Sequence, residues 1–157
     1  MSDPVRKQVL ALLNGGNAHV PFDKVMKDFP AKLRGVKPEG APHTAWQLLE
    51  HMRIAQWDIL EFSRSSKHKS PEWPSGYWPE TEKPPNDDAW KKSVASFEKD
   101  IKAMQKLVED PKTDLFARIP HGTGQNIFRE ALLVADHNAY HLGQLVLLRR
   151  LLGASTK

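Results

Sequence analysis

Apolar residues recur three and four positions apart in four long segments of the chain, residues 3–14, 44–65, 87–109 and 125–152. This spacing places the apolar side chains on one face of a helix, so the pattern predicts four main helices. No segment carries a convincing strand pattern. We therefore predict an all-α fold, a four-helix bundle.

Residues that cap or break helices mark the ends of these segments. Asp3 is a suitable N-cap for the first helix, and the glycine pair that begins at Gly15 ends it. Thr44 and Gln47 have the spacing of a capping box at the start of the second helix. Gly153 closes the fourth.

The connections between the helices differ greatly in length. A short amphipathic piece lies between Pro21 and Pro30, and residues 34–42 form a loop by their Gly and Pro content. Residues 67–86 contain five prolines and are too long for an ordinary helix connection. Such a crossover can carry the chain back along the bundle, so that the second and third helices run in the same direction. This predicts up-down-down-up order.

Length and composition add bounds to this picture. The 157 residues make about one domain, and we place no boundary within residues 1–157. There is no cysteine, so a metal site must use His, Asp or Glu. No apolar run is long enough for a membrane span, and the N-terminus lacks the features of a signal peptide. We expect a cytoplasmic protein without a membrane partner.

The net charge of +4 raises the question of a nucleic-acid partner. Basic residues are interleaved with acidic ones, as in residues 98–106, and no block of five or six like charges occurs. A basic chain without a basic stripe usually has a solvated surface. We therefore expect no nucleic-acid partner.

Two of the seven histidines have the spacing of metal ligands. His137 and His141 are four residues apart on a predicted helix, which puts both imidazoles on one face about a turn apart. His141 lies inside the apolar stripe and His137 at its edge. Core histidines satisfied by hydrogen bonds are the alternative, because a short motif of this kind is weak when it stands alone.

A third imidazole is available on the second helix. His51 faces the rim of the buried side of that helix, where it is either a structural histidine or the third member of a three-histidine set. The remaining four histidines lie in loops or too far along the chain, and we expect them to be bystanders: His19, His43, His68 and His121.

At this point the sequence resembles a known family. HTAWQLLEHMRIAQWDILEF and, after a long gap, REALLVADHNAYHLGQLVLLRRLLG resemble the DinB/YfiT-like superfamily of bacterial metal-dependent enzymes over nearly the whole chain. The most specific part is the histidine of the second helix combined with the residues His137, His141, Gly143, Gln144, Arg149 and Arg150.

The resemblance implies an up-down-down-up four-helix bundle, frequent homodimerisation and a divalent metal, commonly nickel or zinc. Carried over residue by residue, it makes His51, His137 and His141 the metal ligands. Some members are thiol transferases that act with mycothiol or bacillithiol, and others have no assigned reaction. The catalytic residues stay unassigned.

Several other residues are candidates for supporting roles. Glu130 and Gln144 each lie seven residues from His137, and Asp58 lies seven residues from His51, so each is placed to hold an imidazole tautomer or meet a substrate. Glu130 is alternatively a solvated charge, and Asp58 a salt-bridge partner.

The crossover supplies aromatic residues that bear on access to the site. Trp73, Tyr77 and Trp78 are available to a pocket mouth, and the last two could close over the metal as a lid. Aromatic loop residues also plug the end of a core, which is the alternative.

The leading hypothesis is a metal-dependent enzyme acting on a small molecule, a thiol transferase or a hydrolase. The rival is a non-catalytic bundle that binds a metal or small ligand. An enzyme needs an open coordination position, whereas a fourth protein ligand closes a structural site.

Overall fold

Five α-helices make up most of residues 3–154, the part of the chain that our computed structural model describes. They are α1 (Pro4–Asn14), α2 (Phe22–Met26), α3 (Ala45–Arg64), α4 (Asp87–Glu109) and α5 (Ile127–Leu151). Short 3₁₀ turns at Ala31–Leu33 and Ser75–Tyr77 interrupt the connections. Residues 1, 2 and 155–157 of the predicted single domain lie outside the described residues.

The all-α prediction is confirmed. Residues 3–154 contain four long helices, one short helix and no strand, only an isolated bridge between Arg118 and Asn126. Each long helix begins and ends within two residues of its predicted limits. No helix in this part of the chain has the length and apolar character needed to cross a bilayer.

Side-chain caps explain where the helices begin. Asp3 accepts from the backbone N–H groups of the first turn of α1, and Thr44 and Gln47 form the predicted reciprocal capping box of α3. Asn86 and Asn126 cap α4 and α5 in the same way, and these two caps were not predicted from the sequence. The Asn126 cap is also the reason that α5 begins at residue 127 and not at 125.

The apolar side chains form two clusters along the bundle. One holds buried residues of α2, the first part of α3 and α4, and the last part of α5; its largest members include Trp46, Leu49, Met52, Trp90, Phe97 and Leu145. The other joins α1, the later parts of α3 and α4, and the first part of α5 through Val9, Leu13, Leu60, Met104, Val108 and Val134.

Polar contacts link α3 to both α4 and α5. On α3, Glu50 accepts from the hydroxyl of Ser93, and Gln56 donates to the carbonyl of Phe97 at 2.7 Å. The earlier of these residues on α3 contacts the earlier one on α4, and the later contacts the later. Between α3 and α5 the sequence order is reversed. Gln56, later on α3, accepts from Asn138 at 2.7 Å, whereas His51, earlier on α3, faces His141, which is later on α5.

Candidate metal centre

Three imidazoles from two helices converge in the interior of the bundle. The Nε2 atom of His51, on α3, lies 3.1 Å from Nε2 of His141 and 3.1 Å from Nε2 of His137, both on α5. One ligand atom from each histidine lies within 4.8 Å of the other two. His51 and His141 are buried, and His137 is half-buried. The expectation that these three side chains meet at one point is confirmed.

The outer nitrogens of two imidazoles are held by acceptors. Nδ1 of His51 donates to the backbone carbonyl of Tyr77 at 2.9 Å, and Nδ1 of His141 donates to Oε1 of Gln144 at 2.8 Å. An imidazole that donates from Nδ1 and is neutral carries a lone pair on Nε2. The hydrogen bonds therefore point two lone pairs at the centre of the cluster.

This arrangement fits a cation. Two Nε2 atoms that both carry lone pairs lie 3.1 Å apart, in His51 and His141, with no proton to share between them. Such a pair is repulsive unless a positive charge lies where the lone pairs meet. Three imidazole nitrogens are a donor set suited to zinc, copper, iron or nickel.

Burial lowers the pKa of all three imidazoles, which favours their neutral form. It lowers the pKa of His137 to about 4, with further lowering from the neighbouring His141 and His51. Burial also lowers the pKa of His141, which the hydrogen bond to Gln144 partly offsets. Burial also lowers the pKa of His51, although the hydrogen bond to the Tyr77 carbonyl acts to raise it. Neutral imidazole is the form that binds metal ions.

Trp78 covers one face of the cluster. Its ring stacks on the His51 imidazole with centroids 3.9 Å apart and planes 1° from parallel, and its ring also stacks with His43 at 4.0 Å. Tyr140 packs edge-on against His141 at 4.8 Å. Trp78 therefore covers an imidazole, as a lid would, and packs against the first apolar cluster, as a core plug would.

Tyr77 differs from this prediction, because its phenol turns away from the imidazoles. Its hydroxyl donates to Oδ2 of Asp58 at 2.7 Å, and burial together with this carboxylate raises the pKa of Tyr77 to about 12. Its backbone carbonyl accepts a hydrogen bond from Nδ1 of His51. The third aromatic residue, Trp73, is 73% exposed and packs against the Tyr77 ring.

Asp58 is a partner of the crossover. One carboxylate oxygen accepts from Tyr77 and the other lies 2.7 Å from Nε2 of His68. His68 lies outside the three-histidine cluster, as expected, but its side chain is buried against Asp58. Helical periodicity could not reveal this contact, because His68 lies in the Pro-rich connection.

Gln144 and Glu130 have different roles. Gln144 bonds an imidazole, but its partner is His141 and not His137, from which its position was counted. Glu130 is 2% exposed, so its interpretation as a solvated charge is wrong. Its carboxylate pairs with Arg129 at 2.6 Å and not with an imidazole.

The remaining histidines lie outside the cluster. His19 and His121 each contact a backbone carbonyl, of Val20 and Phe62 respectively. His43 lies beside the cluster: it stacks on Trp78, and burial, together with the neighbouring His141, lowers the pKa of His43.

An apolar groove of about 380 Å³ lies beside the cluster. His43 and Gln144 form part of its wall, and both contact residues of the site. The rest of the wall is mostly apolar, from Leu48, Leu147, Leu148 and Leu151, with Glu39 among the polar exceptions.

A helical bundle with three inward-facing histidines on two of its long helices is the class of protein that this fold and site define. The sequence profile of the DinB superfamily matches residues 20–145, which include all three histidines. The chain belongs to the DinB superfamily. Searches of curated proteins and of solved structures gave no match.

Proposed function

We propose that the chain is a divalent-metal-dependent enzyme of the DinB type in which His51, His137 and His141 hold the ion. One observation carries this proposal: two Nε2 lone pairs face each other at 3.1 Å while the matching Nδ1 protons are committed to Tyr77 and Gln144. A cation between the lone pairs removes this repulsion. Because neutral imidazoles add no negative charge, the bound ion keeps its full charge.

Bound there, a divalent ion lowers the pKa of a coordinated water or thiol towards neutrality and so supplies a nucleophile. The protein's own part is orientation and shielding. The Tyr77 carbonyl and Gln144 fix two imidazoles in the tautomer that faces inward. Trp78 keeps water from one face of His51.

The composition of the cluster favours an enzyme over a closed structural site. Within the described residues, the group of potential ligands contains three histidines and no fourth side chain. Three protein ligands with an open position are typical of catalytic zinc sites, whereas structural sites have four. The adjacent groove is of a size that suits a small substrate.

We propose a thiol S-transferase or a hydrolase as the activity, with nickel or zinc as the metal. A small molecule, such as a low-molecular-weight thiol, is the proposed substrate. The homodimer and the cytoplasmic location stay predictions. The up-down-down-up order is part of the proposal, supported by contacts that advance together on α3 and α4 and oppositely on α3 and α5.

Metal binding by untagged protein tests the proposal. Calorimetric titration with Zn²⁺ or Ni²⁺ should give one tight site in the wild type. His137→Ala should lose more affinity than the about 10–100-fold that removal of an outer partner costs, with unchanged helical content. His19→Ala removes an exposed imidazole outside the cluster and should bind as the wild type does.

Equal affinity in the wild type and His137→Ala would show that the ligand assignment is wrong. Unfolding of the metal-free protein would favour the non-catalytic, structural site. The metal-loaded protein should then be assayed for conjugation of a small thiol to a halodinitrobenzene and for hydrolysis of a nitrophenyl ester. Turnover in one assay that His137→Ala abolishes would identify the reaction class.

A further inference from the structure

We propose that Asp58 is a positioning residue for the candidate metal centre and acts on His51 through Tyr77. This inference rests on the proposed function, since it concerns the orientation of one proposed ligand. Asp58 lies two helical turns from His51, about 10.5 Å along α3, so it acts at a distance from the imidazole. Tyr77 is the residue that connects them.

Tyr77 is held to α3 at two points. Its hydroxyl donates to Asp58 at 2.7 Å, and its backbone carbonyl accepts from Nδ1 of His51 at 2.9 Å. Both contacts are made by the same residue, which ends the short 3₁₀ turn Ser75–Tyr77. The position of the carbonyl is therefore tied to the position of the phenol.

The Asp58 carboxylate is suited to hold this phenol. It is buried, and its two oxygens have separate partners, Tyr77 and His68, both at 2.7 Å. Hydrogen bonds to a carboxylate are stronger than those between neutral groups. A single carboxylate of α3 thus binds the crossover at two points, His68 and Tyr77, on either side of residues 69–76.

Two consequences for the metal centre follow from this attachment. The Tyr77 carbonyl keeps the proton of His51 on Nδ1 and leaves the Nε2 lone pair directed at the other imidazoles. The next residue, Trp78, is delivered onto the face of the same imidazole. Loss of the phenol–carboxylate bond frees both the carbonyl and the ring from their positions.

The experiment compares four variants of the full-length protein with Co²⁺ as the probe. Tyr77→Phe removes only the hydroxyl, and Asp58→Asn changes the acceptor while keeping its shape. The two are also combined. Glu50→Gln is the matched control, because Glu50 is a carboxylate of α3 whose two partners, Arg53 and Ser93, belong to α3 and α4.

Tyr77→Phe and Asp58→Asn should each weaken Co²⁺ binding about tenfold, the lower end of the range for partners outside the ligand shell. The double variant should be no weaker than the weaker single variant, because both substitutions weaken the same hydrogen bond between Tyr77 and Asp58. Glu50→Gln should lose stability but keep the affinity and visible spectrum of the wild type. Additive losses, or an affinity of Tyr77→Phe within twofold of the wild type, would overturn the inference.

Nitrogen NMR of the metal-free protein gives a readout that does not need the metal. At pH 7.5, His51 should carry its proton on Nδ1 in the wild type, and Tyr77→Phe should shift it towards a mixture of tautomers. An unchanged tautomer in Tyr77→Phe overturns the inference even if the wild type binds Co²⁺. If the wild type binds no Co²⁺, the proposed function fails, and the tautomer alone decides the role of Tyr77. Should Asp58→Asn fail to fold, Tyr77→Phe decides the question alone.

Discussion

The rings of His51 and Trp78 lie face to face, with their centroids 3.9 Å apart and their planes 1° from parallel. His51 comes from a helix and Trp78 from the Pro-rich crossover, so this stack joins a regular element to a connection. It restricts rotation of the imidazole, and it keeps solvent from one side of the proposed ligand.

Replacing Trp78 with Ala should expose the His51 ring and remove the stack with His43. We expect the free energy of unfolding to fall by about 1–3 kcal/mol, less than for a fully buried aromatic side chain. The metal-loaded variant should also bind a small thiol such as 2-mercaptoethanol much more weakly, as followed by the visible spectrum of the Co²⁺ form.

Trp73→Ala is the control for this prediction, because Trp73 is largely exposed. A loss of stability with unchanged thiol affinity in Trp78→Ala would make Trp78 a plug of the core. The substrate would then enter from another side of the bundle.

Replacing Gln144 with Ala should release Nδ1 of His141. We expect about 10–100-fold weaker Zn²⁺ binding, measured by competition with a chelator. Gln144→Glu retains an acceptor oxygen and should restore most of the affinity. If both variants bind as the wild type does, the contact between Gln144 and His141 has no part in metal affinity.

The depressed pKa of His137 predicts how stability depends on pH. Its pKa is about 4 in the folded chain and near 6.5 when unfolded. Between these values the unfolded chain binds more protons, so the free energy of unfolding of the metal-free protein should fall as the pH falls from 6.5 towards 4. His137→Gln should reduce this slope. Urea unfolding at several pH values in EDTA measures it, and parallel curves for the two proteins would contradict the prediction.

The buried side chain of Gln56 should contribute to stability by joining three helices. Its amide donates to the Phe97 carbonyl of α4 and accepts from Asn138 of α5, both at 2.7 Å. Gln56→Leu leaves both groups without this partner in the interior, which should cost about 1–3 kcal/mol in urea unfolding. Gln105→Leu, at a half-buried position of α4, should change stability much less. Equal effects would show that the network is dispensable.

The helices and the histidine cluster were predictable because both depend on helical periodicity. The spacing of His137 and His141 fixes their common face, and the register of His51 directs it to the buried side of α3. The same counting made Gln144 a candidate partner of His137, but in the structure it bonds His141.

The contacts of the crossover were not predictable in this way. Which of Tyr77 and Trp78 faces the imidazoles depends on the path of a connection with five prolines. The pairing of His68 with Asp58 depends on the same path. No periodic pattern specifies backbone of this kind, so Tyr77, Trp78 and Asp58 appeared as candidates without assigned partners, and His68 was expected to be a bystander.

The packed structure extends beyond the residues that match the superfamily profile, on both sides of the match. The match spans residues 20–145, yet Arg6 of α1 donates to the carbonyls of Val108, Asp110 and Thr113 where α4 ends. Beyond the other limit, buried Arg149 donates to carbonyls of the α2 region. Two arginines outside residues 20–145 thus bind the carbonyl ends of helices within them, so the limits of the profile match are a poor guide to where this chain can be cut.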